Sequence, residues 1–331
     1  MIEPYRAGLS GYFFILIFVL IPLFSIAEMS GAALCGKWSE GEKSGTLDHN
    51  LINEASGIEA SNEFPGRLYH INDSGGGQYF YITDSRGNKT QKIRIEGVTP
   101  KRSDFEDLSL GRCFENKSCI FIADIGDNRK RRDSVEIIVI EELEKYGRSV
   151  YPLKRLKLVY PDHSHNAEGM AVHPNGDIYI LTKEENLKED NLNESEAYPA
   201  KLYRLSNEKW QNSGNKEQLL EFIAEIDIPY INPSGTVYGQ VISAFDIAPD
   251  GKSFLVLTYE NAFEFNTDLS QSGMKKTRQL KKGQDYNVVE LKSLPQQESI
   301  SYLPNGRGFL YNTEYHWFEA PIIKVECLDN Q

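Results

Sequence analysis

The sequence lacks the short signatures that mark many common enzymes. It has no GxSxG elbow, no P-loop and no GxGxxG after a strand, so serine esterases, NTPases and dinucleotide enzymes are poor fits. The four cysteines include no CxxC pair, which leaves a zinc-ribbon type of site without ligands. Helical periodicity is almost absent, and "EELEKYG" at 141–147 is the one candidate short helix. Positive charge is scarce: 36 Lys and Arg stand against 48 Asp and Glu, for a formal net charge of −12. That balance argues against nucleic acid, whose phosphates demand clustered cations. It suits solubility, bound cations or a cationic partner.

Long apolar runs are missing too, with one exception. Residues 7–27, "AGLSGYFFILIFVLIPLFSIA", carry no charge between Arg6 and Glu28 and are long enough to span a bilayer. The run sits at the very start, follows one Arg and breaks at Pro22. It ends in small-x-small options, Ser25-Ile26-Ala27 and Ser30-Gly31-Ala32. These features predict a signal peptide over 1–27, with a retained N-terminal anchor as the alternative. A lipoprotein anchor on Cys35 is disfavoured because Leu34 is bulky where such a signal needs a small residue. The chain is therefore expected to be periplasmic, secreted or on the cell surface. It would touch a membrane only through an uncleaved N-terminal segment.

What is present is a balanced globular composition, 40% hydrophobic and 25% charged over 331 residues. The four cysteines suit an exported chain. Cys113 and Cys119 bracket a polar turn, "CFENKSC", like a staple across a hairpin. Cys35 and Cys327 remain, one near each end of the mature chain. Spacing alone leaves three pairings open, and two free buried thiols are a further alternative.

Self-similarity organises the rest. Five related segments occur: "EASGIEAS" at 54–61, "FEDLSLG" at 105–111, "AEGMAVHPNG" at 167–176, "AFDIAPDG" at 244–251 and "QESISYLPNG" at 297–306. Aligned on Ser56, Glu106, Glu168, Phe245 and Glu298, they recur at intervals of 50, 62, 77 and 53, the longest holding a polar insertion around 186–197. A second strand follows each motif, and third and fourth strands follow in most units. All are short, rich in β-branched and aromatic residues, and separated by Gly, Asn, Asp and Pro. Four antiparallel strands per repeat describe the blades of an all-β propeller. Five blades are expected over 28–331 as a single domain, with six the alternative. The fifth unit lacks a fourth strand, and the N-terminal "CGKWSEGE" can supply it. That closure would set Cys35 beside Cys327.

The strings "INDSG", "DFEDLSLG", "IADIGDNRKRRDSVEIIVIEE", "NAEGMAV" and "SAFDIAPDGKSFLVLTYENAFEF" resemble a group of exported bacterial β-propeller proteins. These lie in the neighbourhood of TolB-like, SdiA-regulated and phytase-like propellers. The resemblance covers roughly residues 50–325 and implies a propeller and export. It implies no particular reaction and transfers no site residue.

Strand direction places the start of each first strand and the end of each second strand on one face of the disc. That face is expected to receive Glu54, Ser56, Asn72 and Asp73; Glu106, Asp107, Asp124, Asp127 and Asn128; and Glu168, Lys183 and Glu184. Asp246, Tyr259 and Glu260 follow, then Glu298, Thr313 and Glu314. In a first reading Glu106, Asp124, Glu168, Asp246 and Glu298 are oxygen ligands for Ca²⁺ or a similar hard cation. Such a metal could polarise an ester, lactone or phosphoester, with His165 as general base. In a second, the face is a binding module for a small molecule, glycan or protein. Asp73, Asp127, Asn128, Arg129, Arg131, Lys183, Tyr259 and Glu314 are its expected contacts, and Tyr315, His316, Trp317 and Phe318 add aromatic surface. In a third, the acids hydrogen-bond the backbone of the next blade and lock the ring. The HxH of His163 and His165 is a lesser metal signal.

Overall fold

A computed structural model describes Met1 and residues 34–73, 77–99, 103–186, 195–229, 231, 237–271, 280–292, 294–314 and 319–329. The apolar run at 7–27 and the aromatic cluster Tyr315, His316, Trp317 and Phe318 lie outside the described residues. Among the described residues, no helix is long and apolar enough to cross a membrane.

Alternation of apolar and polar residues sets the strands, and hairpin turns stack them into blades. The first blade runs Ala55–Ala60, Arg67–Asn72, Tyr79–Asp84 and Gln91–Ile95. The second runs Phe105–Arg112, Ser118–Asp124, Val135–Glu141 and Lys154–Val159. The third comprises Ala167–Val172, Ile178–Thr182, Ala200–Leu205 and Glu221–Ile226. The fourth comprises Ile242–Ile247, Phe254–Thr258, Asn261–Phe265 and Tyr286–Glu290. The fifth has Gln297–Tyr302, Gly308–Thr313 and Pro321–Glu326, and takes its outer strand, Glu42–Thr46, from the N-terminal end. The protein is a five-bladed β-propeller.

Closure follows the expected route with a small offset. The paired strand begins at Glu42, while "CGKWSEGE" contributes an isolated bridge between Trp38 and Cys327. Cys35 and Cys327 are disulfide-bonded, with Cα atoms 5.8 Å apart. Cys113 and Cys119 form the hairpin staple, and no free cysteine remains.

Burial falls from the axis outward. The inner strands of blades three, four and five are buried at every residue. The outer strands Gln91–Ile95 and Lys154–Val159 alternate buried and exposed positions, as edge strands facing water on one side do. The core is divided among the gaps between blades. Ile71, Phe80, Leu108 and Ile120 join blades one and two, for example, and Tyr179, Phe245 and Val256 join three and four. First strands pack directly on one another around the ring, Gln297–Tyr302 returning to Ala55–Ala60. Gly169 permits that approach, since a Cβ there would lie 2.4 Å from the Cβ of Phe245.

The segment 141–147 is not a helix. Arg67 hydrogen-bonds the carbonyls of Leu143 and Glu144, acceptors a helix would need, and Tyr146 Oη donates to Glu141 O. The described α-helix is instead Asn207–Asn212, capped by Ser206 and anchored by buried Trp210. At six residues it is too short to show a period.

Candidate functional site

The first strand of every blade carries the same defect. Pairing with the second strand slips by one residue between Ala55 and Gly57, Phe105 and Asp107, Ala167 and Gly169, Ile242 and Ala244, and Gln297 and Ser299. The extra residues are Ser56, Glu106, Glu168, Ser243 and Glu298. A β-bulge re-aims the side chain it carries and recurs where strands meet functional sites. Here it occurs at the same end of all five inner strands, so it builds a ring at one mouth of the channel. The repeat alignment chose Phe245 in blade four, and the register corrects it by two residues to Ser243.

Glu106, Glu168 and Glu298 are at most 8% exposed. Asp73, Asp104 and Glu106 each present a carboxylate oxygen, all within 4.8 Å of one another. Burial first, then the charges of Glu168, Asp73 and Asp104, push the Glu106 carboxyl well above the ordinary carboxylate range. Glu298 is raised in the same way by burial and Glu168, against the pull of Lys183. Burial also raises Asp104 and Glu314. Lys183 is the cation of this group, 3.2 Å from Glu168 Oε1 and 2.9 Å from Tyr259 Oη. Burial opposes its charge, but Glu168, Tyr259, Glu185 and Glu298 outweigh burial and raise its pKa well above the usual lysine value. One ammonium cannot neutralise so many acids.

Gly126 shapes the acid pocket. A Cβ at this position would sit 2.0 Å from Glu106 Oε1 and 2.5 Å from Asp104 Oδ2. Only glycine lets both carboxylates reach this turn. Asp104 Oδ1 and Ser243 Oγ are buried without a hydrogen-bond partner among the described residues.

No protein-family model matches the chain, and no curated protein matches it in sequence. Among solved structures it is similar to the WD40 domain of Pan2 from Neurospora crassa. The two share 7% identity over 86% of this chain and 66% of that one, with a TM-score of 0.35. It is also similar to hydrazine synthase of Kuenenia stuttgartiensis, at 13% identity over 78% of this chain and 68% of that one, with a TM-score of 0.42. No function is taken from either.

The remaining candidates divide between support and solvent. Asp124 Oδ1 accepts from Arg132 Nη1 at 2.8 Å and from Asp104 N at 3.0 Å, so this oxygen holds the turn together. Asp127 Oδ2 accepts from Arg131 N and Arg132 N, while its own N–H donates to Asn166 Oδ1. Asn166 bridges Asn128 to Glu168. The Arg129 and Arg131 side chains are exposed, and Arg132 is the arginine of this run that reaches an acid. Asn72 is buried and donates to Leu51 O.

His165 differs from expectation. It is fully buried, with Nδ1 2.7 Å from Glu184 Oε1 and Nε2 2.9 Å from Tyr203 Oη. Neither nitrogen is offered to the mouth, so the general-base role has no geometric support.

Asp246 is likewise outside the bulge ring. It lies further along its strand, where Oδ1 accepts from Ile247 N and Oδ2 from Tyr302 N of blade five. Asp107 does the same between blades two and three, accepting from Leu108 N and Met170 N. These two acids lock neighbouring blades. Asp104, Gly126, Asn166 and Ser243 were not singled out from sequence. Asp104 stood within the "DFEDLSLG" string, but nothing local tells a bulge neighbour from a strand residue.

Proposed function

We propose that this protein is an exported propeller that binds a divalent cation of the Ca²⁺ type at the acid-lined mouth. The loaded face would then hold a small-molecule, glycan or protein ligand. The observation that carries the reading is the convergence of Asp73, Asp104 and Glu106 within 4.8 Å around a turn kept open by Gly126. Hard cations take six to eight oxygens, and Glu168, Glu298 and the unpartnered Ser243 hydroxyl extend the donor set around the same mouth. Carboxyls pushed above the ordinary range first by burial and then by one another's charge would give up their protons to a cation. Export is supported by the two disulfides, which suit an oxidising compartment. Metal-assisted hydrolysis would need a base open to the mouth, and His165 does not supply one, so binding is preferred.

Calcium at about a hundred times its dissociation constant should stabilise the fold by about 2.7 kcal/mol, or about 5 °C in melting midpoint. The shift should be larger at pH 8 than at pH 6, because protons on Glu106 and its neighbours must leave before the oxygens can ligate. Gly126→Ala should abolish the shift while leaving a folded propeller, since its Cβ displaces only the ends of Glu106 and Asp104. A midpoint indifferent to calcium and chelator, or a full shift in Gly126→Ala, would remove the proposal.

A further inference from the structure

We propose that Asp162, His163 and His165 form a second, separate site for a borderline divalent transition metal, Zn²⁺ foremost, on blade three. The segment Asp162-His163-Ser164-His165 lies between strands Lys154–Val159 and Ala167–Val172. Asp162 sits 3.1 Å from His163 Nδ1 and 3.1 Å from His165 Nε2. The three donor atoms all fall within 4.8 Å of one another. A tetrahedral ion with bonds of about 2.0–2.1 Å needs donors about 3.3 Å apart. Two imidazoles and a carboxylate are the donor set that such ions accept.

The surroundings of His165 are those of a prepared ligand. Its Nδ1 lies 2.7 Å from Glu184 Oε1, and Glu184 Oε2 is held in turn by Lys130 at 3.1 Å. A carboxylate on one ring nitrogen fixes the proton there and turns the lone pair of the other outward. That lone pair, on Nε2, points at Asp162. Ser164 Oγ donates to Lys130 O and ties the turn to the Asp127–Arg132 loop. Tyr203 Oη reaches both His165 Nε2, at 2.9 Å, and Asp162 Oδ1, at 3.0 Å, so its hydroxyl can donate to the carboxylate once the imidazole is ligated. Lys201 Nζ, 3.2 Å from Asp162 Oδ2, is the counter-cation the metal displaces. The Asp162 and His163 side chains are 42% and 62% exposed, which leaves the remaining coordination position open to water.

The test is a titration of the purified protein with Co²⁺, whose visible absorption distinguishes tetrahedral from hydrated ion, followed by displacement with Zn²⁺. One tetrahedral Co²⁺ per chain is expected. His163→Ala, at an exposed position, should weaken binding at least tenfold, and Glu184→Gln by roughly tenfold as the loss of an outer partner does. Glu106→Gln at the mouth should leave it unchanged, which keeps this site distinct from the calcium reading. No tetrahedral spectrum, or equal affinity in His163→Ala, overturns the proposal.

Discussion

Replacing Cys35 and Cys327 together by serine should lower the free energy of unfolding by up to about 5–6 kcal/mol. The bond closes a loop with a sequence separation of 292, so in the chain-entropy account it removes much of the freedom of the unfolded chain. The Cys113–Cys119 staple, with a separation of 6, should be worth only about 2 kcal/mol by the same relation. The fold itself should survive, because Glu42–Thr46 still pairs with Pro321–Glu326 in the fifth blade. Urea unfolding of the wild type and the two double-serine variants measures the difference. Equal losses in both variants would mean that strand pairing alone closes the ring.

Asp246→Ala should cost about 2–5 kcal/mol at pH 5, because it leaves the buried N–H groups of Ile247 and Tyr302 without an acceptor. The cost should be smaller at pH 8. Burial pushes the Asp246 carboxyl up to about 7 in the folded protein, well above its ordinary value near 4. Folding therefore favours the protonated acid. That stabilisation is fully present below about pH 4 and is lost as the pH rises through about 7, a swing of roughly 4 kcal/mol. Glu59 and Asp107 are raised by burial in the same channel, and Asp246 adds to both. The wild type should thus lose stability between pH 5 and pH 8, and the variant should lose less. Denaturation at the two pH values decides it, and an identical penalty at both would refute the role given to the buried acid.

The same residue shows where sequence reading stops. Asp246 follows Phe245 as Asp107 follows Glu106, so the repeat alignment, which matches Phe245 with Glu106, places the two acids together at the mouth. The register shows otherwise: the bulge of blade four falls at Ser243, and Asp246 lies three residues beyond it. Asp107 follows its own bulge directly, yet both acids end as acceptors for a backbone N–H of the next blade, Met170 for Asp107 and Tyr302 for Asp246. Asp124 and Arg132 make a parallel case. The run of four cations after a carboxylate-rich strand end is visible in the sequence. That Arg132 is the one to fold back on Asp124, leaving Arg129 and Arg131 in solvent, depends on the turn held by Asp127 and Asn166. His165 was legible as a histidine near the acids, but not as one already held between Glu184 and Tyr203.

Strand alternation, turn residues and the repeat are local properties, and the sequence by itself determined the propeller and its closure by the N-terminal end, with five blades expected and six left open until the sheets were seen. Cysteine position pointed to the terminal disulfide for the same reason, since the ends of a closed ring must meet. Tertiary structure alone decided which acids share the mouth, which lock blades and which surround a histidine. Those assignments turn on one-residue bulges and on the approach of strands dozens of residues apart. Packing between blades sets both, and no local pattern encodes it.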